Sequence, residues 1–132
     1  MEKMKTKRKI LIFVLIAILI GAGFGIKIIM DIQNEQKELA TLNIQEIDLT
    51  NVADGSYKGA YESSLIKVKV VVEVKDHEIC YIDLVQHVNG KGTPAEGIIP
   101  EVIDAQSLKV DAVSGATSSS KAILKAIENA LN

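Results

Sequence analysis

An uncharged apolar run near the start of the chain limits its possible folds more than any other feature. The run extends from Ile10 to Ile26, and with Lys27 and three further apolar residues it reaches Met30. A helix rises about 1.5 Å per residue, so this stretch would span about 30 Å, which matches the hydrocarbon core of a bilayer. Lys27 can extend its amine to the interface from that position. The sequence therefore predicts a transmembrane anchor over residues 10–30.

The competing interpretation of the run is a cleaved signal peptide. Its apolar part would be long for that purpose, and the small residues Gly21, Ala22 and Gly23 match the usual cleavage pattern poorly. We therefore expect the segment to stay in the mature chain as an anchor.

The charges on either side of the run predict its orientation. Basic residues cluster before it, in positions 3–9, whereas mainly acidic residues follow it. Because cytoplasmic flanks carry the excess of Lys and Arg, we expect residues 1–9 to be a cytoplasmic basic tail and the domain to be extracytoplasmic. Acidic residues outnumber basic ones beyond Met30, which argues against a nucleic acid as partner. The predicted localisation is the cell membrane, with a single pass.

The segment between the anchor and the domain has a different composition. Residues 31–50 are rich in Gln, Glu and Asn, with only a weak periodic apolar pattern. Such a segment is predicted to be a stalk that is partly helical at most. The folded domain is then expected over residues 51–132.

Two alternating segments predict a β-hairpin. Apolar and charged residues alternate from Lys67 to Lys75, and the same period of two continues over residues 78–86 after the turn Asp76-His77. The single cysteine, Cys80, falls on the apolar positions of the second strand and is expected to be a small buried side chain.

One helix is predicted after the hairpin. Thr93-Pro94-Ala95-Glu96 has the form of a capping box with proline at the first helical position, so this helix should begin at Pro94. Pro100 lies inside it and would kink or restart it. The expected apolar stripe consists of Ile98, Ile99, Val102 and Ile103.

A second helix is predicted at the end of the chain, beginning between Thr117 and Ser119. Lys121, Lys125 and Glu128 are expected on the side opposite its apolar stripe. With a third, shorter strand over residues 56–63, the fold class is α+β, a small antiparallel sheet with two helices, preceded by one N-terminal transmembrane helix. The stripe consists of Ala122, Ile123, Ala126, Ile127, Ala130 and Leu131.

The segment Asp111-Ala-Val-Ser-Gly-Ala-Thr117 places a hydroxyl among small residues at the start of this last helix. The N–H groups of a first helical turn have no acceptor within the helix, and the macrodipole is positive there, so the position suits a phosphate. Ser and Thr are also ordinary N-cap residues in front of an apolar run. From the residues alone, capping and phosphate binding both remain open.

Asp111-x-x-Ser114-Gly115-Ala116-Thr117 resembles the flavinylation motif of the FMN-binding domain family. That family includes flavin-carrying subunits of the sodium-pumping NADH:quinone oxidoreductase and of the related Rnf complex, and also short membrane-anchored proteins of bacterial surfaces. The similarity extends from Asp54-Gly-Ser-Tyr-Lys-Gly59 through the paired strands to the last helix.

The resemblance implies a covalent cofactor and an enzyme that attaches it. FMN would be joined to Thr117 by a phosphoester bond, made by a flavin transferase that uses FAD and a divalent metal. Asp111 would belong to the transferase's recognition signal or orient the loop, although an Asp in a turn is also commonly a solvent-facing residue. Phosphate contacts would come from Ser114 and Ser118 and from the backbone of Gly115 and Ala116.

The resemblance also implies that the loop after the hairpin lies near the flavin ring. His87 would then be part of the cofactor site, and Asn89, Gly90 and Thr93 would meet the polar edge of the ring. Taken alone, His87 is more typical of a solvated loop residue. The loop departs from the commoner His-x-Glu-Thr-Pro-Gly form of the family.

Other chemistries find little support in the sequence. A metal site from His77, Cys80 and His87 would lack a fourth ligand and a shared face, so no metal site is expected. No base stands near Thr117 in sequence, so no catalytic set is expected.

The sequence therefore predicts a membrane-anchored flavoprotein that relays electrons between a membrane reductase and an external acceptor, as a carrier more than as a complete enzyme. Its expected partners are the flavin transferase, membrane electron-transfer proteins and the membrane itself. Two alternatives remain at this point. One is a flavinylated component of an Rnf-like ion-pumping complex, and the other is a flavin-free binding module in which Thr117 only caps a helix.

Overall fold

The structure is a computed structural model that describes residues 1–88 and 93–132. The chain divides into two compact units, residues 1–34 and residues 35–132. The long helix α1 (Glu2–Ala40) forms nearly all of the first unit. Its last residues, from Glu35 onward, belong to the second unit. By length and composition, α1 is able to cross a membrane. The predicted long apolar helix is therefore present.

The end of α1 belongs to the folded domain. Leu39 is almost fully buried in the domain core, and the carboxylate of Glu35 accepts a hydrogen bond from the Leu65 N–H at 2.8 Å. Ile44 and Ile47, which follow the helix, are half-buried against the same core. The domain boundaries predicted at residues 30 and 50 stay predictions, but these side chains before residue 51 contribute to the packing of the domain.

Three antiparallel strands form the sheet in the order β1 (Gly55–Glu62), β2 (Lys67–Lys75) and β3 (Glu78–Val88). Alternation in β2 puts four of its valines on the core face, whereas its charged residues and Val71 lie on the other face, as the period of two predicts. The predicted hairpin and the shorter third strand are both confirmed. The buried valines are Val68, Val70, Val72 and Val74.

The hairpin turn has the backbone geometry that two-residue β-turns favour. Asp76 and His77 have φ values of 52° and 64°, so both central residues are in the left-handed region of a type I′ turn. The Asp76 N–H also donates to a carboxylate oxygen of Asp54 at 2.8 Å. That bond ties the turn to the segment that leads into β1.

Two β-bulges interrupt β3 and change which side chains face the core. Val74 pairs with Ile79 while Glu73 pairs with Tyr81, so Cys80 has no partner opposite it. A bulge inserts one residue and shifts the alternation. Ile79 is therefore buried and Cys80 is exposed, so the prediction of a buried cysteine is wrong. A second bulge at Val85 restores the original alternation farther along the strand.

One side chain covers part of the outer edge of β3. Gln106 ends α2 (Ile98–Ala105) with a left-handed backbone, and its amide oxygen accepts from the Ile79 N–H at 2.6 Å. Its amide nitrogen donates to the Ile79 carbonyl at 2.8 Å. The side chain thus binds both backbone groups of Ile79, as a neighbouring strand would.

Pro100 restarts the helix in the way the sequence predicts. A 3₁₀ helix (Thr93–Gly97) comes first, and α2 follows with Pro100 as its third residue. The first N–H groups of a helix have no acceptor within it, so a proline is tolerated there. Ile98 and Val102 are fully buried, and the predicted stripe faces the core.

The last helix, α3 (Thr117–Leu131), packs across β1 and β2. It begins where the sequence predicts, and every member of its predicted apolar stripe is buried. Glu128 differs from the prediction because it is 2% exposed instead of lying on the outer side. Its carboxylate accepts from the Lys125 amine at 2.7 Å and from the Gln45 N–H at 3.0 Å. These two donors compensate the burial of the charge.

Gly59 lets α3 approach β1 closely. A Cβ atom at this position would overlap the Ala126 carbonyl oxygen and lie 2.7 Å from the Ala130 nitrogen. Backbone atoms of a helix cannot move aside as a flexible side chain can. Asn129 adds a hydrogen bond from its amide nitrogen to the Ala60 carbonyl at 2.9 Å.

Replacing Gly59 with alanine should therefore separate α3 from the sheet. We expect Gly59→Ala to lower the free energy of unfolding by about 1–3 kcal/mol, the usual cost of an extra carbon in a packed core. Denaturant titration of the full chain in detergent measures the change. The matched control is Gly97→Ala, because a Cβ there meets nothing within 4 Å. Equal stability of the two variants would contradict the close approach.

Candidate functional site

The motif lies on the loop that joins α2 to α3. Leu108 and Ala116 are buried, and Val110 and Val113 are half-buried against the core. These four side chains hold the loop on the domain at intervals along its length. The residues between them, including Asp111, can face solvent without loosening the loop.

The segment Val113–Ala116 is a tight turn in front of α3. The Ala116 N–H donates to the Val113 carbonyl at 2.9 Å, and Gly115 has φ of 78°. A turn with positive φ at its third residue requires glycine or asparagine, so the backbone explains Gly115. A Cβ there would meet nothing within 4 Å, which shows that conformation and not space is the constraint. Ser114, the second residue of the turn, is exposed.

The turn leaves the hydroxyl of Thr117 at the surface. The N-cap residue of α3 is Ala116, which makes no side-chain cap bond, and Thr117 is the first helical residue and exposed. Thr117 is therefore not the helix cap that the alternative interpretation requires. Helix geometry leaves the N–H groups of Thr117, Ser118 and Ser119 without an acceptor inside α3, since the first internal bond is from the Ser120 N–H.

Ser120 is a further residue of this site, and the sequence pattern did not single it out. It is fully buried, and its hydroxyl oxygen accepts from the Val113 N–H at 3.0 Å. The same hydroxyl donates to the Ala116 carbonyl at 2.8 Å. Ser120 thus joins both ends of the turn to α3. The sequence signal that could have identified Ser120 is its spacing. It stands three residues before Ile123, so it lies on the same face of the helix as the apolar stripe.

The predicted site residues of the motif reach the surface along one stretch of the chain, with one exception. The exposed ones are Asp111, Ser114, Gly115 and Thr117, and Ser118 is half-buried. Ala116 is the exception, because its methyl group packs into the core. The small side chains of this segment leave the backbone open to a ligand.

Glu46 holds the start of the loop. Its carboxylate accepts from the Ser107 hydroxyl at 2.6 Å and from the Leu108 N–H at 3.2 Å. Partial burial acts to raise the pKa of Glu46, but these two bonds, a bond from the Ile47 N–H and the charge of Lys109 together bring that pKa below its usual value of 4.5. The charged form is thus the one that fastens the loop.

His87 and Thr93 belong to a second cluster, formed by β3 and the 3₁₀ helix. The His87 side chain is 3% exposed, and its Nδ1 lies 3.0 Å from a carboxylate oxygen of Glu96. The interpretation of His87 as a solvated loop residue is therefore wrong, because the residue is the partner of Val68 in the sheet. Thr93 is exposed at the start of the 3₁₀ helix.

The 3₁₀ helix packs against α3, which connects this second cluster with the helix that carries the motif. The predicted ring contacts of Asn89 and Gly90 lie outside the described residues. Within residues 1–88 and 93–132, His, Cys, Asp and Glu side chains form no group of three that could hold a metal ion.

The fold and the site together define a class of protein. It is a small α+β domain that presents an exposed threonine at a helix start whose N-cap makes no side-chain hydrogen bond. A family model for the FMN-binding domain matches residues 21–132, so the chain belongs to the FMN-binding domain family. No curated protein matches the chain. Membership confirms the resemblance and assigns the domain to FMN binding and electron transfer.

The bonds of Glu46 predict a dependence of stability on pH. Since its folded pKa is lowered, Glu46 contributes stability that is fully present above about pH 4.5 and is lost as the pH falls through the folded pKa. The difference in Tm between the wild type and Glu46→Gln should therefore be largest above about pH 5 and shrink toward about pH 3. Thermal denaturation over this range measures it.

The control for this series is Glu101→Gln, which removes an exposed carboxylate from α2. We expect its Tm to follow the wild type more closely at every pH. A Glu46→Gln curve that runs parallel to the wild-type curve down to about pH 3 would show that the Glu46 contacts do not depend on its charge.

Proposed function

We propose that the chain carries FMN covalently, through a phosphoester bond to Thr117. The observation that supports this most directly is the exposed hydroxyl of Thr117 at the first position of a helix whose N-cap, Ala116, offers no side-chain acceptor. A helix start of this kind has N–H groups available for an anion. A covalent bond would also keep the flavin on the domain without requiring tight non-covalent binding.

The residues around Thr117 fit the phosphodiester that this bond creates. The N–H groups of Ser118 and Ser119 point along the helix axis toward the N-terminus, where the macrodipole is positive. The Ser118 hydroxyl can donate a further hydrogen bond, and Lys121 follows one helical turn later with a positive charge. These groups would stabilise the charge that remains on the phosphate after the bond has formed.

The attachment is a group transfer that needs FAD and no oxidant. The Thr117 oxygen forms a bond to the phosphorus of the FMN half of FAD, and the bond from that phosphorus to the bridging oxygen of the diphosphate breaks. AMP leaves with the bridging oxygen, and the hydroxyl proton is released. No base stands beside Thr117 in the motif turn, so the reaction requires a separate flavin transferase.

Bound FMN supplies chemistry that amino acid side chains lack, because it accepts and donates one or two electrons. The domain itself would determine where the flavin is held. A flavin joined to an exposed residue on a rigid turn can meet a donor and an acceptor in succession, which suits a carrier between a membrane reductase and an external acceptor.

We further propose that α1 anchors the chain and that the domain is extracytoplasmic. The length and apolar composition of α1 support the anchor, and the cations of residues 3–9 support a cytoplasmic N-terminus. Under this arrangement the partners are membrane electron-transfer proteins and a transferase in the same compartment as the domain.

Removing the Thr117 hydroxyl tests the cofactor bond. The full chain is produced together with a bacterial flavin transferase, and intact mass is measured with in-gel flavin fluorescence. We expect the wild type to gain the mass of one FMN less one water on the peptide that contains Thr117, and Thr117→Ala to gain none. The hydroxyl is the attacking group, so its loss should leave no adduct.

Thr50→Ala is the matched control, because it removes an exposed threonine from the 3₁₀ helix Leu49–Asn51 and should keep the adduct. Covalent flavin on Thr117→Ala would refute the assignment of the residue. A wild type that stays unmodified, while a control substrate of the transferase is labelled, would favour a tethered binding module without flavin.

The exposed thiol of Cys80 tests the orientation of the chain. Cys80 is the single cysteine, so a membrane-impermeant maleimide can report one position. If the domain is extracytoplasmic, intact cells should label Cys80 on a band of full-length mass without permeabilisation. Retention of the full-length mass also distinguishes an anchor from a cleaved signal peptide.

The reference for this experiment is the double variant Thr6→Cys with Cys80→Ser. Its thiol lies in the N-terminal tail and should react only after the membrane has been opened. Labelling of Thr6→Cys in intact cells, with protection of Cys80, would reverse the proposed topology.

A further inference from the structure

Ser120 is the most fully buried polar side chain next to the motif, and it faces the turn instead of solvent. Its relative exposure is 0%, and its hydroxyl contacts two backbone groups of the turn, the Val113 N–H and the Ala116 carbonyl. The Ala116 carbonyl also accepts the Ser120 N–H at 2.9 Å. One residue therefore supplies three of the bonds that join the turn to α3.

These bonds substitute for a conventional helix cap. In most helices an N-cap side chain fixes the entering backbone by accepting N–H groups of the first turn. Here the N-cap is Ala116, which makes no such bond, and the first-turn N–H groups are left available. Ser120 fixes the entering chain from inside the helix, so the outer side of the helix start stays open.

We propose that Ser120 is a positioning residue for the attachment of FMN to Thr117. This inference rests on the proposed function. By holding Val113 and Ala116, Ser120 keeps the peptide before Thr117 in one conformation, and the hydroxyl is presented to the transferase in one direction. The Ser120 hydroxyl bonds the backbone of Val113 and Ala116 and would act on Thr117 through that backbone.

Without the Ser120 hydroxyl, the Val113 N–H loses its acceptor. The Ala116 carbonyl keeps the bond from the Ser120 N–H but loses the bond from the hydroxyl. The turn would then populate other conformations, and the fraction of chains ready for the transferase would fall. For one or two hydrogen bonds of ordinary strength, we expect about a tenfold slower attachment of FMN. In the group transfer itself, the bonds that form and break stay the same as in the wild type.

The first test is independent of flavin. Hydrogen exchange of the Val113 amide is measured by NMR on the unmodified full chain in detergent micelles, for the wild type, Ser120→Ala and Ser63→Ala. Ser63 is the matched control because its hydroxyl also bonds a backbone N–H and a backbone carbonyl, both of Ile66, in the turn between β1 and β2. Faster exchange of Val113 in Ser120→Ala alone is expected, and unchanged exchange would overturn the inference.

The second test measures the rate of FMN incorporation for the same three chains, with transferase and FAD in excess. We expect Ser120→Ala to be about tenfold slower than Ser63→Ala, which should match the wild type. Ile127→Val lowers stability from a buried site farther along α3, so it shows how much of any loss comes from stability alone. Ser120→Thr keeps the hydroxyl and should restore the faster rate.

The outcomes separate this inference from the function on which it rests. A wild type that takes up FMN, with Ser120→Ala as fast as Ser63→Ala, overturns only the role of Ser120. Equal slowing by Ile127→Val at equal Tm also overturns it, because stability would then explain the loss. A wild type that takes up no FMN overturns the proposed function and this inference together.

Discussion

The packing of α3 on the valine face of the sheet is the contact on which the other features depend. It buries the apolar stripe of the helix against β2, and the missing side chain at Gly59 lets the helix backbone approach β1. A helix fixed in this way has a fixed first turn. The position of Thr117 is therefore determined by apolar contacts along the whole of α3, and not only by the loop that precedes it.

Two carboxylates extend this framework to segments that have no regular structure. Glu128 binds the Gln45 N–H from α3, and Glu46 binds the loop at Ser107 and Leu108. The segment after α1 is thus held between the last helix and the start of the motif loop. Residues 44–47 have the composition of a stalk but pack and bond against the domain, because two carboxylates accept N–H groups of this segment and of the loop.

The sequence was sufficient to predict those helices and strands that bury one face along their whole length. Alternation predicted β2, and helical spacing predicted α3 and its start near Thr117, because burial of one face imposes a period. The sequence did not predict that Cys80 is exposed, because the β-bulge that shifts the alternation has no recognisable signal in the residue types. It also failed at Glu128, whose partner Gln45 is 83 residues away. Ser120 was overlooked because its role depends on the fold of the turn.

The outer edge of β3 has a consequence for how separate copies of the domain meet. An open strand edge lets neighbouring sheets pair into continuous assemblies. Gln106 occupies both backbone groups of Ile79, and the bulges at Cys80 and Val85 break the straight line that a foreign strand needs. At these positions the longest strand of the sheet is therefore a poor template for a strand from another copy.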